Sequence, residues 1–131
     1  MARGVVALAN SWANTIRGGG AGTSYTAPAA VYIKLHTGDP GAAGTSNASA
    51  NTTRQAATFG AASSGAIALT NTPSWATWAA GTETITDISC WDASTSGNCL
   101  WTGTLSGGGA TVNNGDTLNL TACTFTVTPA S

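Results

Sequence analysis

The sequence predicts an all-β fold, an antiparallel β-sandwich or jelly-roll-like barrel of about seven or eight short strands that follow a short N-terminal α-helix. Ala, Thr and Gly fill half of the 131 residues. Thr favours strands, and both Thr and Gly disfavour helices. Turn-forming Gly, Pro and Asn recur at intervals of roughly ten residues, as in sandwiches and barrels. This length suits one domain, 1–131, which we divide into a helix at 4–17, a Gly-rich linker at 18–28 and a β-domain at 29–131.

The N-terminal helix is predicted from apolar residues that recur at spacings of three and four, the pattern of one helix face. The sequence RGGG at 17–20 ends the helix with a cation and a run of glycines. The apolar stripe has two interpretations, a lid on the core or an interface that docks onto a partner. The residues of the stripe are Val5, Leu8, Trp12 and Ile16.

The sequence VYIKLH at 31–36 alternates apolar and polar residues and predicts a half-buried strand. In this pattern Lys34 and His36 point outward, so we expect His36 to be exposed or at an interface. Asp-Pro-Gly at 39–41 ends the strand in a turn, because proline fixes φ and glycine accepts positive φ. Residues 41–53 then form a long surface loop.

Further strands are predicted from short segments rich in Thr and aliphatic residues. An Asn-Gly hairpin signal at 114–115 leads into one of them. The segments are 54–59, 66–70, 82–91, 98–105 and 123–127, with a shorter strand around Leu118 and Leu120.

Charge and hydropathy argue against two classes of partner, nucleic acid and membrane. Charged residues make up 7 % of the chain, and the formal net charge is −1. Nucleic acid requires clustered Lys and Arg, and the basic residues here are few and dispersed. No apolar run approaches the ~20 residues that span a bilayer. Solubility usually rests on charged side chains, so we expect part of this surface to contact other protein chains.

No pattern of residues indicates a catalytic, cofactor-binding or metal site. His36 and Asp39 lie close in sequence, but Ser and Thr are so abundant that a nearby hydroxyl carries no information. The cysteines lack C-x-x-C spacing, and a single histidine cannot supply a His pair. Four tryptophans predict core packing, with stacking on sugar rings as the alternative. They are Trp75, Trp78, Trp91 and Trp101.

The five carboxylates would suit a glycosidase only as a pair held at a fixed separation. Asp92 and Asp116 stand beside turn sequences, where Asp bonds to backbone N–H groups. Glu83 and Asp87 lie on one face of the predicted strand at 82–91 and are the one pair to consider. Nothing else in the sequence supports that pair.

Four stretches occur in a characteristic order: AVYIKLHTGDPGAAGTSN, TRQAATFGAASSG, CWDASTSGNCLWTGTL and VNNGDTLNL. Together they resemble a family of small tailed-phage virion proteins, usually labelled tail fibre or minor tail proteins and found in phages of actinobacteria. No catalytic residue belongs to that pattern, so the resemblance implies a protein that is not an enzyme. Cys90, Cys99 and Cys123 depart from the pattern. The resemblance implies fold and turn roles for residues 35–41, Arg54, Gln55, Trp91 and Trp101, and for Gly38, Asp39, Pro40, Gly41, Asp92, Gly97, Asn98, Gly115 and Asp116.

The resemblance places the protein in the virion, assembled in the host bacterial cytoplasm. A fibre needs length from a coiled coil or repeats, which this sequence lacks. We therefore expect a capsid decoration protein, ahead of a minor tail or fibre-tip module that contacts host glycans. The expected partners are the major capsid protein or tail proteins, in a homo-oligomer for which a trimer is one option. A hydrolase that uses His36 and the acids is the competing class.

The hairpin at 90–99 leaves two states open for its cysteines. Cys90 and Cys99 are expected to face each other across the two strands, where Cα atoms lie ~4.5 Å apart. That distance permits a disulfide, whereas assembly in a reducing cytosol favours two buried thiols. Cys123 is expected to be a buried free thiol.

Overall fold

The computed structural model describes residues 3–4, 6–17 and 26–127. Residues 18–25 of the predicted linker lie outside this part of the chain. The elements are β1 (Arg3–Gly4), α1 (Val6–Ile16), β2 (Val31–His36), β3 (Gln55–Ala57), β4 (Ala66–Ala68), β5 (Ser74–Trp75), β6 (Glu83–Ile85), β7 (Asp87–Trp91), β8 (Cys99–Thr104), a 3-10 turn (Ser106–Gly108), β9 (Ala110–Val112), β10 (Leu118–Asn119) and β11 (Thr124–Thr126).

The predicted all-β class is confirmed. One antiparallel sheet has the strand order β1-β8-β7-β2-β3, and three further pairs are β10-β5, β11-β4 and β6-β9. The described strands form no closed barrel, which agrees with a sandwich. The helix spans Val6–Ile16 within its predicted range.

The strands are more numerous and shorter than predicted. β1, β5 and β9 lie outside the predicted segments, and one predicted strand divides in two. The segment 82–91 breaks at Thr86 into β6, which pairs with β9, and β7, which pairs with β2 and β8. At the break, the Thr86 N–H donates to the His36 carbonyl, and the Thr86 carbonyl accepts from the Leu105 N–H. The chain therefore passes from one sheet to another at Thr86. The sequence pattern does not reveal this change of pairing partner.

The core is one hydrophobic cluster that the five-stranded sheet shares with the smaller strand pairs. Ile33 and Leu35 of β2 project into it, as the alternation predicts. Its large members also include Trp75, Trp78, Ile85, Ile88, Trp91, Trp101, Val112 and Phe125. The four tryptophans of the β-domain are each 6 % exposed or less, so the sugar-stacking alternative is wrong for them.

Candidate functional site

His36 lies at the end of β2 and is fully buried, at 0 % exposure. The prediction that it is exposed is wrong. Residues 37–50, here called the covering loop, return antiparallel to the end of β2 through a bridge between His36 and Ala48. The Ser49 N–H donates to the Leu35 carbonyl at 3.1 Å, which closes the return. The loop thus encloses a side chain that strand alternation alone would place in water.

Both ring nitrogens of His36 have buried partners. Nδ1 is 2.8 Å from the Ser46 carbonyl oxygen, and Nε2 is 2.7 Å from Ser89 Oγ. A carbonyl only accepts, so Nδ1 carries the proton and Ser89 donates to Nε2. The Trp91 indole N–H in turn donates to Ser89 Oγ at 2.7 Å. Every polar group of this chain of bonds is satisfied with a neutral imidazole.

Burial lowers the pKa of His36 below its ordinary value of 6.5. The hydrogen bond to Ser46 and the nearby charge of Asp87 oppose that shift, whereas Lys34 adds to it. Burial is the largest of these effects, so the neutral form is favoured in the folded protein.

A histidine bonded to a serine is also the arrangement of a nucleophile and its base. Here the serine is Ser89, which is 0 % exposed and already accepts the indole N–H. No substrate reaches its oxygen in this fold, and the second ring nitrogen meets a carbonyl where a triad has a carboxylate. The pair therefore fastens the covering loop to the sheet.

The rest of the covering loop is held by carboxylates. Asp39 accepts from the Gly41 N–H at 2.8 Å, and Glu83 accepts from Ser49 Oγ at 2.6 Å and the Ala50 N–H at 2.9 Å. Around the turn, Pro40 is buried and its carbonyl accepts from Ser46 N–H, while Gly38 lies against the Asn47 side chain.

Glu83 and Asp87 do not form a pair on one strand. Glu83 belongs to β6 and binds the covering loop, whereas Asp87 belongs to β7 and accepts from the hydroxyls of Thr86 and Thr104 at 2.6 and 2.9 Å. Asp92 and Asp116 accept from backbone N–H groups in their turns, those of Asn98 and Asn113. Four of the five carboxylates thus accept hydrogen bonds that shape loops, and Asp87 links β7 to β8 through Thr104.

The hairpin between β7 and β8 is closed by Arg54, a residue that sequence reasoning named only through the resemblance. Its guanidinium lies 3.9 Å from the centroid of the Trp91 ring. The same group donates to the carbonyls of Ala93 and Ser96 at 2.8 and 2.7 Å. Cation–π stacking and two charge-assisted bonds together fix the turn.

The turn itself depends on Asp92, Gly97 and Asn98. Asp92 accepts from the Asn98 N–H at 2.7 Å and from its side-chain amide at 3.0 Å. Gly97 has φ +74° and lies so close to Asp92 Oδ1 that a Cβ would overlap it.

In the 113–116 turn, the Gly115 N–H donates to the Trp78 carbonyl at 2.7 Å.

The expectation that Cys90 and Cys99 face each other is wrong, because a bulge shifts the register. Cys90 pairs with Trp101, and Cys99 pairs with Trp91. Both thiols are free and buried. Burial raises the pKa of Cys90 to about 12 and that of Cys99 to about 11, so both stay protonated at neutral pH. Cys123 is also free and only half-buried, although it was expected to be buried.

Cys99 packs beneath the covering loop at a contact that the sequence did not indicate. Gly44 has φ +70°, and a Cβ there would overlap the Cys99 sulfur and meet the Trp91 ring. Only glycine fits this position, since it satisfies both the backbone conformation and the close approach.

The predicted helical stripe is partly described. Trp12 is 39 % exposed and Ile16 is 86 % exposed, while Val5 and the Leu8 side chain lie outside the described part of the chain. Trp12 packs its edge against Phe125 with ring centroids 6.3 Å apart. A cavity of about 450 Å³ lies between this helix and the β-domain. In the described part of the stripe, Trp12 thus covers part of the core, while Ile16 at the end of the helix stays exposed.

In residues 3–4, 6–17 and 26–127, no cluster of three or more His, Cys, Asp or Glu side chains is placed to hold a metal ion. The same part of the chain holds no helix with the length and apolar character of a membrane span.

Comparison with known proteins gives one family. A family model described as "Podophage GP4 fiber I protein gp80" matches residues 6–128. No curated protein matches the chain. The match covers all four motifs of the sequence and nearly every element of the fold.

Proposed function

The chain belongs to the Gp80 family of podophage GP4 fiber I proteins and is thus a structural protein of a phage virion, and we propose that it serves as a non-enzymatic module of the tail fibre. The observation that carries this proposal is the match over residues 6–128, since it includes the N-terminal helix and all but the last three residues of the β-domain. Other virion proteins are its partners.

A non-enzymatic role agrees with how the reactive groups are used. The histidine is enclosed by the covering loop and bonded at both nitrogens. The carboxylates accept bonds from loop N–H and hydroxyl groups. These side chains stabilise the loops of the fold, as expected for a structural protein.

The apolar stripe of α1 is the surface that we assign to other virion chains. Ile16 is 86 % exposed and Trp12 39 %, and because they stand four residues apart on one helix they form a single apolar patch. Contacts with several neighbours of on the order of 800 Å² per side, added over an assembly, suffice for stable attachment.

Capsid decoration is the second candidate, because the body lacks the features that give a fibre its length. In the described residues the strands are at most six residues long and the single α-helix has eleven. Decoration therefore suits the size and the weak charge, whereas the family description favours the fibre. Glycan binding by tryptophan stacking has little support, since four of the five tryptophans are buried.

Location and copy number in purified particles test the proposal. We expect antibodies against the protein to label the tail end in electron micrographs. Quantitative mass spectrometry should give a low copy number per particle, about three to six, which is compatible with a closed symmetric assembly at one tail. Label over the capsid, with copies in the tens or hundreds on a lattice, would replace the fibre role with decoration.

A further inference from the structure

The large apolar side chains that stay exposed are confined to one place in the described part of the chain. They are Trp12, Ile16 and Val127, at 39 %, 86 % and 47 % exposure. Trp12 and Ile16 lie on α1, and Val127 directly follows β11, whose Phe125 is the residue that Trp12 contacts. The exposed apolar surface therefore belongs to the N-terminal arm, defined here as β1 and α1, and to the part of the β-domain that the arm contacts. That part, β8 and the region around Phe125, is here called the seat.

Two described contacts join the arm to the domain, a strand ladder and an aromatic edge. β1 adds to the edge of the main sheet through two register pairs, Arg3 with Thr102 and Gly4 with Trp101. α1 adds the edge contact of Trp12 with Phe125. The cavity of about 450 Å³ between helix and domain shows that the arm fills its seat incompletely.

Among the described residues, no charged side chain lines the cavity at the seat, so the seat can accept the arm of its own chain or that of a second copy. The cavity is lined by apolar side chains and a threonine, among them Val31, Phe59, Ile67, Trp101 and Phe125. The net charge of −1 adds little repulsion between two copies. An identical arm from a second chain would make the same ladder and the same aromatic contact.

We propose that the arm is exchanged between copies, so that β1 and α1 of one chain occupy the seat on the β-domain of another. This inference rests on the proposed virion role and names the partner of its helical surface as a second copy of the chain. Closed and exchanged forms share their internal contacts, which makes exchange an inexpensive route to oligomers. Exchange also brings two domains together at the arm, where Trp12, Ile16 and Val127 can be buried, and this favours the exchanged form.

The connection between arm and domain is long enough for exchange. Residues 18–25 separate them and include four glycines. Eight residues span at most about 29 Å when extended, twice the radius of gyration of about 14 Å expected for a domain of this size. The arm can therefore reach the seat of a neighbour that lies against its own domain.

Cross-linking of two variants, each with one introduced cysteine beside the buried Cys90 and Cys99, tests exchange. One chain carries Arg3→Cys and the other Thr102→Cys, positions that face each other in the register, where Cα atoms lie ~4.5–5.5 Å apart and a disulfide can form. Both chains also carry Cys123→Ser, which removes the half-buried thiol. After mixing and mild oxidation, we expect a disulfide-linked heterodimer on a non-reducing gel.

Thr111→Cys in place of Thr102→Cys is the matched control, because Thr111 is an exposed threonine of β9, outside the main sheet. Heterodimer in the Arg3–Thr102 mixture at several times the control level supports exchange. A heterodimer yield equal to that of the control overturns exchange. In that case the double variant Arg3→Cys/Thr102→Cys should form its disulfide within one chain and remain a monomer, which would show that each arm stays on its own domain.

The two proposals fail separately. Cross-linking uses purified protein and reports on arm exchange alone. Immunolabelling of particles reports on location alone, so a tail-end label together with no heterodimer would leave the fibre role in place and remove the exchange.

Discussion

The covering loop and the N-terminal arm are both segments that lie against the main sheet, but they are held by different forces. The loop is tied by buried polar bonds from His36 and by carboxylate bonds from Glu83. Among the described residues, the contacts of the arm include a two-residue ladder and an aromatic edge. Buried polar groups need specific partners, so they fix one position for the loop. A backbone ladder and an aromatic edge can form equally well on another copy of the chain, as the proposed exchange requires.

The largest expected effect is the loss of the His36 ring. His36→Ala leaves the Ser46 carbonyl and the Ser89 hydroxyl without their partner and opens a cavity, so we expect the free energy of unfolding to fall by about 3–4 kcal/mol. Urea unfolding followed by tryptophan fluorescence measures it. Thr45→Ala, at an exposed position of the same loop, should change stability by less than about 0.5 kcal/mol. Equal losses in the two variants would contradict a polar anchor.

A smaller effect is expected at Gly44, where the loop approaches Cys99. Gly44→Ala adds both a strained φ and an overlap with the sulfur, and should lower the free energy of unfolding by about 2–3 kcal/mol. Gly107→Ala is the control, because Gly107 has φ +68° with no atom within 4 Å of a Cβ. It should cost only the backbone strain, about 1 kcal/mol. If both variants lose the same amount, the loop does not pack on Cys99.

Protonation of His36 should weaken the loop while the ring stays in place, so its effect is smaller than removal of the ring. The folded pKa lies below the unfolded value of 6.5, so the unfolded state binds the proton more tightly. Stability is therefore full above 6.5 and is lost as the pH falls through the lowered folded pKa. Urea unfolding at about pH 8 and about pH 5 measures the loss.

His36→Gln is the comparison variant for this pH dependence, since an amide does not titrate in that range. The wild type should lose more stability on acidification than His36→Gln does. Parallel losses in the two proteins would mean that the carboxylates, not His36, account for the acid sensitivity.

The smallest effect on folding is expected in the arm. Trp12→Ala removes one edge contact of a half-exposed ring and should lower the free energy of unfolding by about 1 kcal/mol.

Removal of residues 1–20 should likewise leave the β-domain folded, as measured by circular dichroism, while incorporation into particles is abolished. Aggregation of the truncated protein would instead identify the helix as a lid on the core.

The amount that could be predicted differs between these regions for a physical reason. The strand at 31–36 and the helix stripe follow local periodicity, and both appear in the structure close to their predicted bounds. The break at Thr86 and the bulge beside Cys90 do not follow local periodicity, because each depends on which strand lies alongside. His36 was misplaced for the same reason, since a loop that returns over a strand changes burial without changing its alternation.

The all-β class and the turns at 39–41 and 92–98 follow from residues close together in the chain, and the resemblance already indicated a phage virion protein. The folded protein alone shows that Ser89 and Trp91 complete the bonds of His36, that Gly44 rests on Cys99 and that Arg54 closes the hairpin. Those contacts join residues as much as 55 positions apart, as between Gly44 and Cys99. Long-range pairing of this kind is set by the mutual packing of strands, and no local pattern records it.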